Sequence, residues 1–481
     1  MGVTVASHRA EVLVQLWNSG LVLSPQWREL APSASEALAM AVRDAVLDGK
    51  IRVADQLPAE RRLASQLGVS RGTVVAAFAR LRAEGWLSTR HGSGSIVQIP
   101  ASLRLRFGPL PAVHAEGLID LRRATPAAPV DAYPAAAPRA LGRSPRLLLS
   151  DGEPGAGLPR LRERIAARLT GQGLPTGPDQ VLVTAGARAA MTLLTAHLRP
   201  STAVVESPTF YGILAILRRP GHRLVPVAVS HDGWDPGQLA AAFGRARGGM
   251  AVLVPDFHNP TGALMDAQTR AQVAVLAAQA GVTVIANEIM RDLDLREPPV
   301  PVPRIRGAII VGSLSKTIWA GLRIGWIRAP ARLIRQLLLH PLCQVCSPPP
   351  IEQLTACELL PDLDSLLRQR TRELRSQRDH LTAALRHDSA WTFTPPPGGL
   401  WLWLRLASTS GDALAAQAAA VGLAVLPGAK FSADGTLASY LRVPFTAPPA
   451  TLDNAVALLR AAHGNAISRG KGGGMTRGRG R

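Results

Sequence analysis

Only four of the 54 basic side chains in this 481-residue chain are lysines: Lys50, Lys316, Lys430 and Lys471. Arginine is the default cation, so each lysine calls for a reason. Lys316 ends the string Gly312-Ser313-Leu314-Ser315-Lys316, just after the apolar run Ile309 to Val311 and seven residues ahead of Arg323. An ε-amine on a loop at the carboxyl end of a parallel strand can condense with an aldehyde as a Schiff base, while nearby hydroxyls and a guanidinium hold a phosphate. The plain alternative is an exposed lysine in a Ser-rich turn. Other segments carry matching chemistry. Asn259-Pro260-Thr261-Gly262 puts an amide where it can bond a phenolic oxygen. Gly186-Ala187-Arg188 opens a helix, whose free N–H groups and dipole suit phosphate. Pro208-Thr209-Phe210 offers a ring to stack on a flat heterocycle, and Arg442, in the strand-like Tyr440-Leu441-Arg442-Val443, offers the forked donors that match a carboxylate.

These residues need a scaffold, and the apolar pattern supplies one. Runs at Val181 to Val183, Val204 to Val205, Ala251 to Val254, Val282 to Ile285 and Ile309 to Val311 alternate with helix-length stretches, which predicts an α/β domain with a largely parallel central sheet over residues 118–463. Residues 33–97 read as a separate winged helix-turn-helix. Ser33-x-x-Glu36 caps a first helix, Pro58 suits the first turn of a second that stops at Gly68, and Ser70 caps a third that buries Val74, Phe78 and Leu81. Strands at Trp86 to Arg90 and Ser95 to Ile99 then flank the tight turn His91-Gly92-Ser93-Gly94. Such a module reads DNA with the start of its third helix, here Ser70, Arg71 and Thr73, while Arg61, His91 and Gly92 touch the backbone and minor groove. The plain alternative is a small protein-interaction domain. Residues 1–32 form an N-terminal extension, 98–117 a proline-broken linker, and 464–481 a basic Gly/Arg tail read as disordered.

Net charge is 54 − 34 = +20. It is spread along the chain and decides little beyond favouring a polyanionic partner or a solvated basic tail. No apolar run approaches the ~18 residues of a membrane helix. Three cysteines fit a reducing compartment, so the chain reads as soluble and cytoplasmic without membrane attachment. Cys343 and Cys346 have ligand-like spacing, and with His340 and Cys357 they leave a zinc site as the minor alternative to no metal.

The string Gln56-Leu57-Pro58-Ala59-Glu60-Arg61-Arg62-Leu63-Ala64, followed by Leu67 to Val74, Gly85-Trp86-Leu87 and Gly92-Ser93-Gly94, resembles the GntR family of bacterial repressors. That resemblance implies DNA contacts from Arg61, Arg71, Thr73 and Gly92; His91 is added on its chemistry. The Lys316, Asn259, Gly186, Phe210 and Arg442 segments, in that combination, resemble fold-type I aminotransferases dependent on pyridoxal 5′-phosphate, with a large cofactor domain and a small C-terminal α+β subdomain. Joined, the two halves resemble the MocR family of transcriptional regulators. The resemblance implies Schiff-base attachment at Lys316, phosphate contacts from Ala187, Arg188, Ser313 and Arg323, ring contacts from Phe210 and Asn259, carboxylate recognition by Arg442, and a homodimer bound to an operator.

The pattern departs from the family at Asn287-Glu288-Ile289-Met290, where an aspartate and a tyrosine are expected. The aspartate keeps the pyridine nitrogen protonated and makes the ring an electron sink; Asn287 supplies no charge. Met290 removes a phenol, and Ser150-Asp151-Gly152 stands where a tyrosine is common. The favoured expectation is therefore a DNA-binding regulator whose aminotransferase-like domain binds pyridoxal phosphate, an amine or an amino acid as effector, with weak or no turnover. Two alternatives stay open: an active aminotransferase carrying a DNA-binding domain, and a regulator whose large domain is a dimerisation scaffold that has lost the cofactor.

Overall fold

The computed structural model describes residues 14–16, 21–23, 27–29, 31–47, 51, 56–90, 94–98, 100, 117–152, 155–218, 222–433 and 437–472. Two compact units divide at Val113/His114. In the first, helices Ala34–Leu47, Glu60–Leu67 and Arg71–Ala83 enclose a core that includes Leu38, Leu63, Val74, Phe78 and Leu81, and the hairpin Leu87–Arg90/Gly94–Val97 forms the wing. The helix ends follow from local chemistry. Ser33 Oγ accepts from Glu36 N, Ser70 Oγ accepts from Thr73 N at 3.0 Å, and Gly68 closes the second helix at φ 62°, a left-handed conformation that glycine adopts without strain. Pro58 stands one residue outside the second helix, whose N-cap is Ala59, so it shapes the entry and not the first turn.

This unit begins earlier than residue 33. Trp27 is buried in its core and Arg28 donates to the Leu67 carbonyl at 2.6 Å. Ahead of them Val14–Leu16 and Leu21–Leu23 pair as an antiparallel hairpin. His91 and Gly92 lie outside the described residues.

The second unit is built on an eight-stranded sheet ordered Val181–Thr184, Gly325–Arg328, Ile309–Ser313, Thr283–Asn287, Met250–Leu253, Thr202–Ser207, Arg223–Ser230, Gly233–Trp234. The five strands from Ile309–Ser313 to Arg223–Ser230 are mutually parallel; Gly325–Arg328 runs antiparallel to its neighbours. Helices cover both faces, which explains why the central strands are near-continuous apolar runs and not alternating ones. A smaller antiparallel sheet, Trp391–Thr392, Trp401–Leu406, Tyr440–Pro444 and Leu426–Pro427, packs with helices Leu363–Leu385, Gly411–Ala420 and Pro449–Gly472. That last helix corrects the tail: it runs through 464 to Gly472, because Ala-rich turns propagate helix once the apolar face of Leu452, Val456 and Leu459 is anchored. Among the described residues no helix is long and apolar enough to cross a membrane.

Phe78 is fully buried at the centre of the first unit. Replacing it by alanine is expected to cost about 3–5 kcal/mol there. In calorimetry the transition of the first unit should fall or vanish while that of the second holds its temperature; a single transition shifted as a whole would contradict independent cores.

Candidate functional site

The carboxyl ends of the parallel strands gather the residues singled out above, as the crevice rule for open α/β sheets requires. Strand Ile309–Ser313 delivers Lys316, whose Nζ donates to the Ala124 carbonyl at 2.7 Å. Burial, and secondarily the Arg442 cation, pull the lysine pKa from 10.5 down to about 7. A large share of the amine is therefore neutral, and nucleophilic, at neutral pH.

Arg442 comes from the small sheet and is 2% exposed. It donates to Asn259 Oδ1 at 3.3 Å and to the Arg122 carbonyl at 2.6 Å, and its guanidinium lies between the Phe431 and Trp401 rings at 4.8 and 5.5 Å. Its Nε has no partner, and no carboxylate pairs with it among the described residues. Burial lowers its pKa to about 10. It stays charged at neutral pH, an isolated cation in a dry place, which an incoming carboxylate would neutralise.

The segment facing both cations is held by its own ion pair: Arg122 forks onto Asp120 at 2.7 and 2.6 Å, and Ile119–Asp120 pairs in parallel with Leu423–Ala424. Its carbonyls at 122 and 124 thus occupy Arg442 and Lys316. Neither was anticipated from sequence.

The phosphate end is a turn and a helix start. Gly186, at φ 91°, caps Ala187–Leu198, and strand residue Gly325 crosses it so closely that an added Cβ would stand 2.6 Å from the Gly186 carbonyl carbon and 2.9 Å from Ala187 N. The Ala187 backbone opens the helix at this turn, and the exposed Arg188 guanidinium lies over the Phe210 ring at 6.0 Å. Ser313 is committed to the Ile324 carbonyl and to Ser315 Oγ. Ser315, beside the Gly186 turn, is the better placed hydroxyl, and the alternating Ser-x-Ser spacing contained that signal. Arg323 is exposed, at φ 54°.

Asn287 ends its strand on the same face as Ile285, 4% exposed, with Oδ1 unpartnered. Glu288 points the other way, pairing with Arg304 at 2.7 Å; burial raises its pKa, the neighbouring Asp256 adds to that, and Arg304 and Arg291 oppose it. Met290 is wholly buried in the small-subdomain core. Sequence reasoning also missed Thr209, buried with a free Oγ1 beside Phe210. The cysteines separate: Cys343 and Cys346 share one core cluster and Cys357 another, and among the described residues no group of three His, Cys, Asp or Glu is placed to hold a metal ion.

In the first unit Arg61 and Arg71 are exposed without an acidic partner among the described residues, whereas Arg43, Arg80 and Arg82 are paired with Glu84, Glu36 and Glu60. Ser70 Oγ and Thr73 Oγ1 lie 2.8 Å apart, so the Ser70 hydroxyl is engaged as a cap.

The family model for aminotransferase class I and II matches residues 137–459, and the model for bacterial regulatory proteins of the gntR family matches 34–97. The chain belongs to the class I and II aminotransferase family. Its combination with a gntR module makes it MocR-type. An uncharacterised HTH-type transcriptional regulator of Bacillus subtilis, YisV, is 28% identical over 400 residues, 76% of this chain and 82% of that protein. The pyridoxine biosynthesis transcriptional regulator PdxR of Corynebacterium glutamicum is 31% identical over 315 residues, 62% of this chain and 66% of that one. Among solved structures, the α-aminoadipate aminotransferase LysN of Thermus thermophilus, complexed with N-(5′-phosphopyridoxyl)-L-leucine, superposes with TM-score 0.68 at 23% identity, covering 77% of this chain and 96% of that one, a likeness of fold.

The lysine sets a pH signature for this MocR-type chain. Lys316 deprotonates near 7 when folded and near 10.5 when unfolded, so folding is penalised most at acid pH and stability grows as pH rises from about 7 toward 10.5. Labelling by trinitrobenzenesulfonate, followed by peptide mass, should show Lys316 reacting with a midpoint near pH 7. A midpoint above 10 would contradict the buried environment.

Proposed function

We propose that the chain is a DNA-binding transcriptional regulator whose aminotransferase fold binds pyridoxal 5′-phosphate, an amine or an amino acid as effector. The carrying observation is the pair of basic side chains, part-buried Lys316 and buried Arg442, whose only polar partners among the described residues are the neutral oxygens of Ala124, Arg122 and Asn259. An amine of lowered pKa beside a guanidinium lacking an anion is a site for an aldehyde and a carboxylate.

The residues present fit pyridoxal phosphate. The Gly325 cradle leaves the Ala187 backbone and Ser315 for a phosphate, Arg323 adds charge, Phe210 supplies a ring, and Asn287 brings a buried, unpartnered Oδ1, an acceptor for a ring N–H. When bound, the cofactor supplies an electrophilic carbon and an electron sink; Asn287, lacking charge, weakens that sink. Asn259 spends its oxygen on Arg442 and keeps its NH2 for a phenolic oxygen. Lys316 holds the covalent attachment, and Arg442 the effector carboxylate. The name of the PdxR relative, a pyridoxine biosynthesis regulator, supports a vitamin B6 signal.

DNA contact falls to Arg61 and Arg71, at the starts of the second and third helices and unpaired among the described residues, with Thr73 and, from the sequence reading, His91 and Gly92. Arg71→Ala is expected to relax operator discrimination by about 1–3 kcal/mol in gel-shift competition. An unchanged operator profile would remove Arg71 from base reading. A homodimer is supported by exposed apolar side chains on short helices of the large unit: Leu148 is 70% exposed, Leu149 90%, Leu339 86% and Val345 78%.

The intact Lys316, Asn259 and Arg442 set favours one rival, a working aminotransferase. Adding pyridoxal phosphate should produce a visible absorption band, and borohydride should fix a label on the Lys316 peptide. Sustained transfer between an amino donor and a keto acid would favour the rival, and absence of any label the scaffold reading.

A further inference from the structure

The chain holds few aromatic residues, 8 Phe, 9 Trp and 3 Tyr, yet five of them form one continuous run that passes Arg442, beginning with Phe210 against Tyr211 at 4.6 Å. Tyr211 and Phe431 have ring centroids 6.1 Å apart, Phe431 and Trp403 5.7 Å, and Trp403 stacks on Tyr440 at 5.1 Å with planes within 9°. Register explains the gathering. Trp403 is paired with Arg442, and Arg405 with Tyr440, across one antiparallel ladder, so Trp403, Tyr440 and Arg442 project from the same face of the small sheet. The opposite face, with Leu402, Leu404, Leu441 and Val443, already fills the core. Phe431 is fully buried beneath the guanidinium, whereas Tyr211, Trp403 and Tyr440 each keep part of their surface open.

Charge decides what these open surfaces suit. Lys316, Arg442 and Arg188 make the neighbourhood cationic. Glu206, five residues before Tyr211, is wholly buried and committed to Trp234 Nε1, Val254 N and His258, and Asp434, three residues after Phe431, lies outside the described residues. A ligand with a cationic side chain would be repelled, and a short aliphatic one would leave the rings uncovered. A flat ring attached to a carboxylate satisfies both, placing the anion on Arg442 and the ring against the aromatic wall.

We propose that Tyr211, Trp403 and Tyr440 form the side-chain subsite of the effector site and select an aromatic carboxylate, an amino acid whose side chain ends in a phenyl or indole ring. The inference rests on the reading of Arg442 as the holder of the effector carboxylate.

Calorimetric titration of the full-length, cofactor-free protein with 3-phenylpropionate and with butanoate tests it, since neither acid carries an amine and neither needs the cofactor. 3-Phenylpropionate is expected to bind about tenfold or more tightly than butanoate, as ring contacts worth roughly 2- to 10-fold each add up. Trp403→Leu and Tyr440→Leu should each erode that ratio, Trp403→Phe should retain it, and Arg442→Met should abolish binding of both acids. Equal affinities in the wild-type protein, or a ratio unmoved in both leucine variants, overturn the aromatic subsite and leave the carboxylate site standing. Failure of both acids to bind overturns the Arg442 reading and this inference with it, while the Lys316 label is scored separately.

Discussion

The site in the larger unit is arranged around two basic side chains, Lys316 and Arg442, that meet no carboxylate among the described residues. Burial lowers the pKa of both, but Arg442 stays charged at neutral pH and is held by two oxygens and two aromatic faces. Desolvating a guanidinium is costly, and dipoles and rings return only part of that cost. A protein gains no stability from such an arrangement. On the proposed reading a ligand completes the electrostatics here: the parallel strands bring the lysine, the small sheet brings the arginine, and the segment from Arg122 to Ala124 meets both.

The same logic separates the two faces of the strand that ends in Asn287. One side chain further on, Glu288 enters a cluster of arginines and acids with Arg304, Arg291 and Asp256, where charges compensate one another. On the opposite face Asn287 brings an uncharged amide whose Oδ1 is unpartnered. A one-residue alternation thus divides a paired carboxylate from an unpaired neutral amide.

Much of this was legible in the chain. Ser70 and Gly68 marked helix ends because capping is local, and Lys316 stood out because lysine is rare in this sequence and follows a strand. What was not legible depends on distant partners. Lys316 meets the Ala124 carbonyl across 192 residues and Arg442 meets that of Arg122 across 320, contacts that no spacing announces. The Arg188 guanidinium over the Phe210 ring is another such contact. Trp27 joined the first core although it precedes the first capping motif, since packing obeys volume and not motif boundaries.

The stretch from Ile119 to Ala124 has a consequence of its own. On the proposed effector reading its carbonyls, bonded to Lys316 and Arg442, would act as a tethered competitor: an incoming carboxylate would displace an acceptor that never diffuses away, and apparent affinity would fall by the fraction of molecules in which that acceptor is engaged. On that reading the threshold concentration would depend on how firmly this short strand is clamped, through the Asp120–Arg122 fork and its pairing with Leu423–Ala424. Substitutions in the clamp can retune sensitivity without touching any group that recognises the ligand.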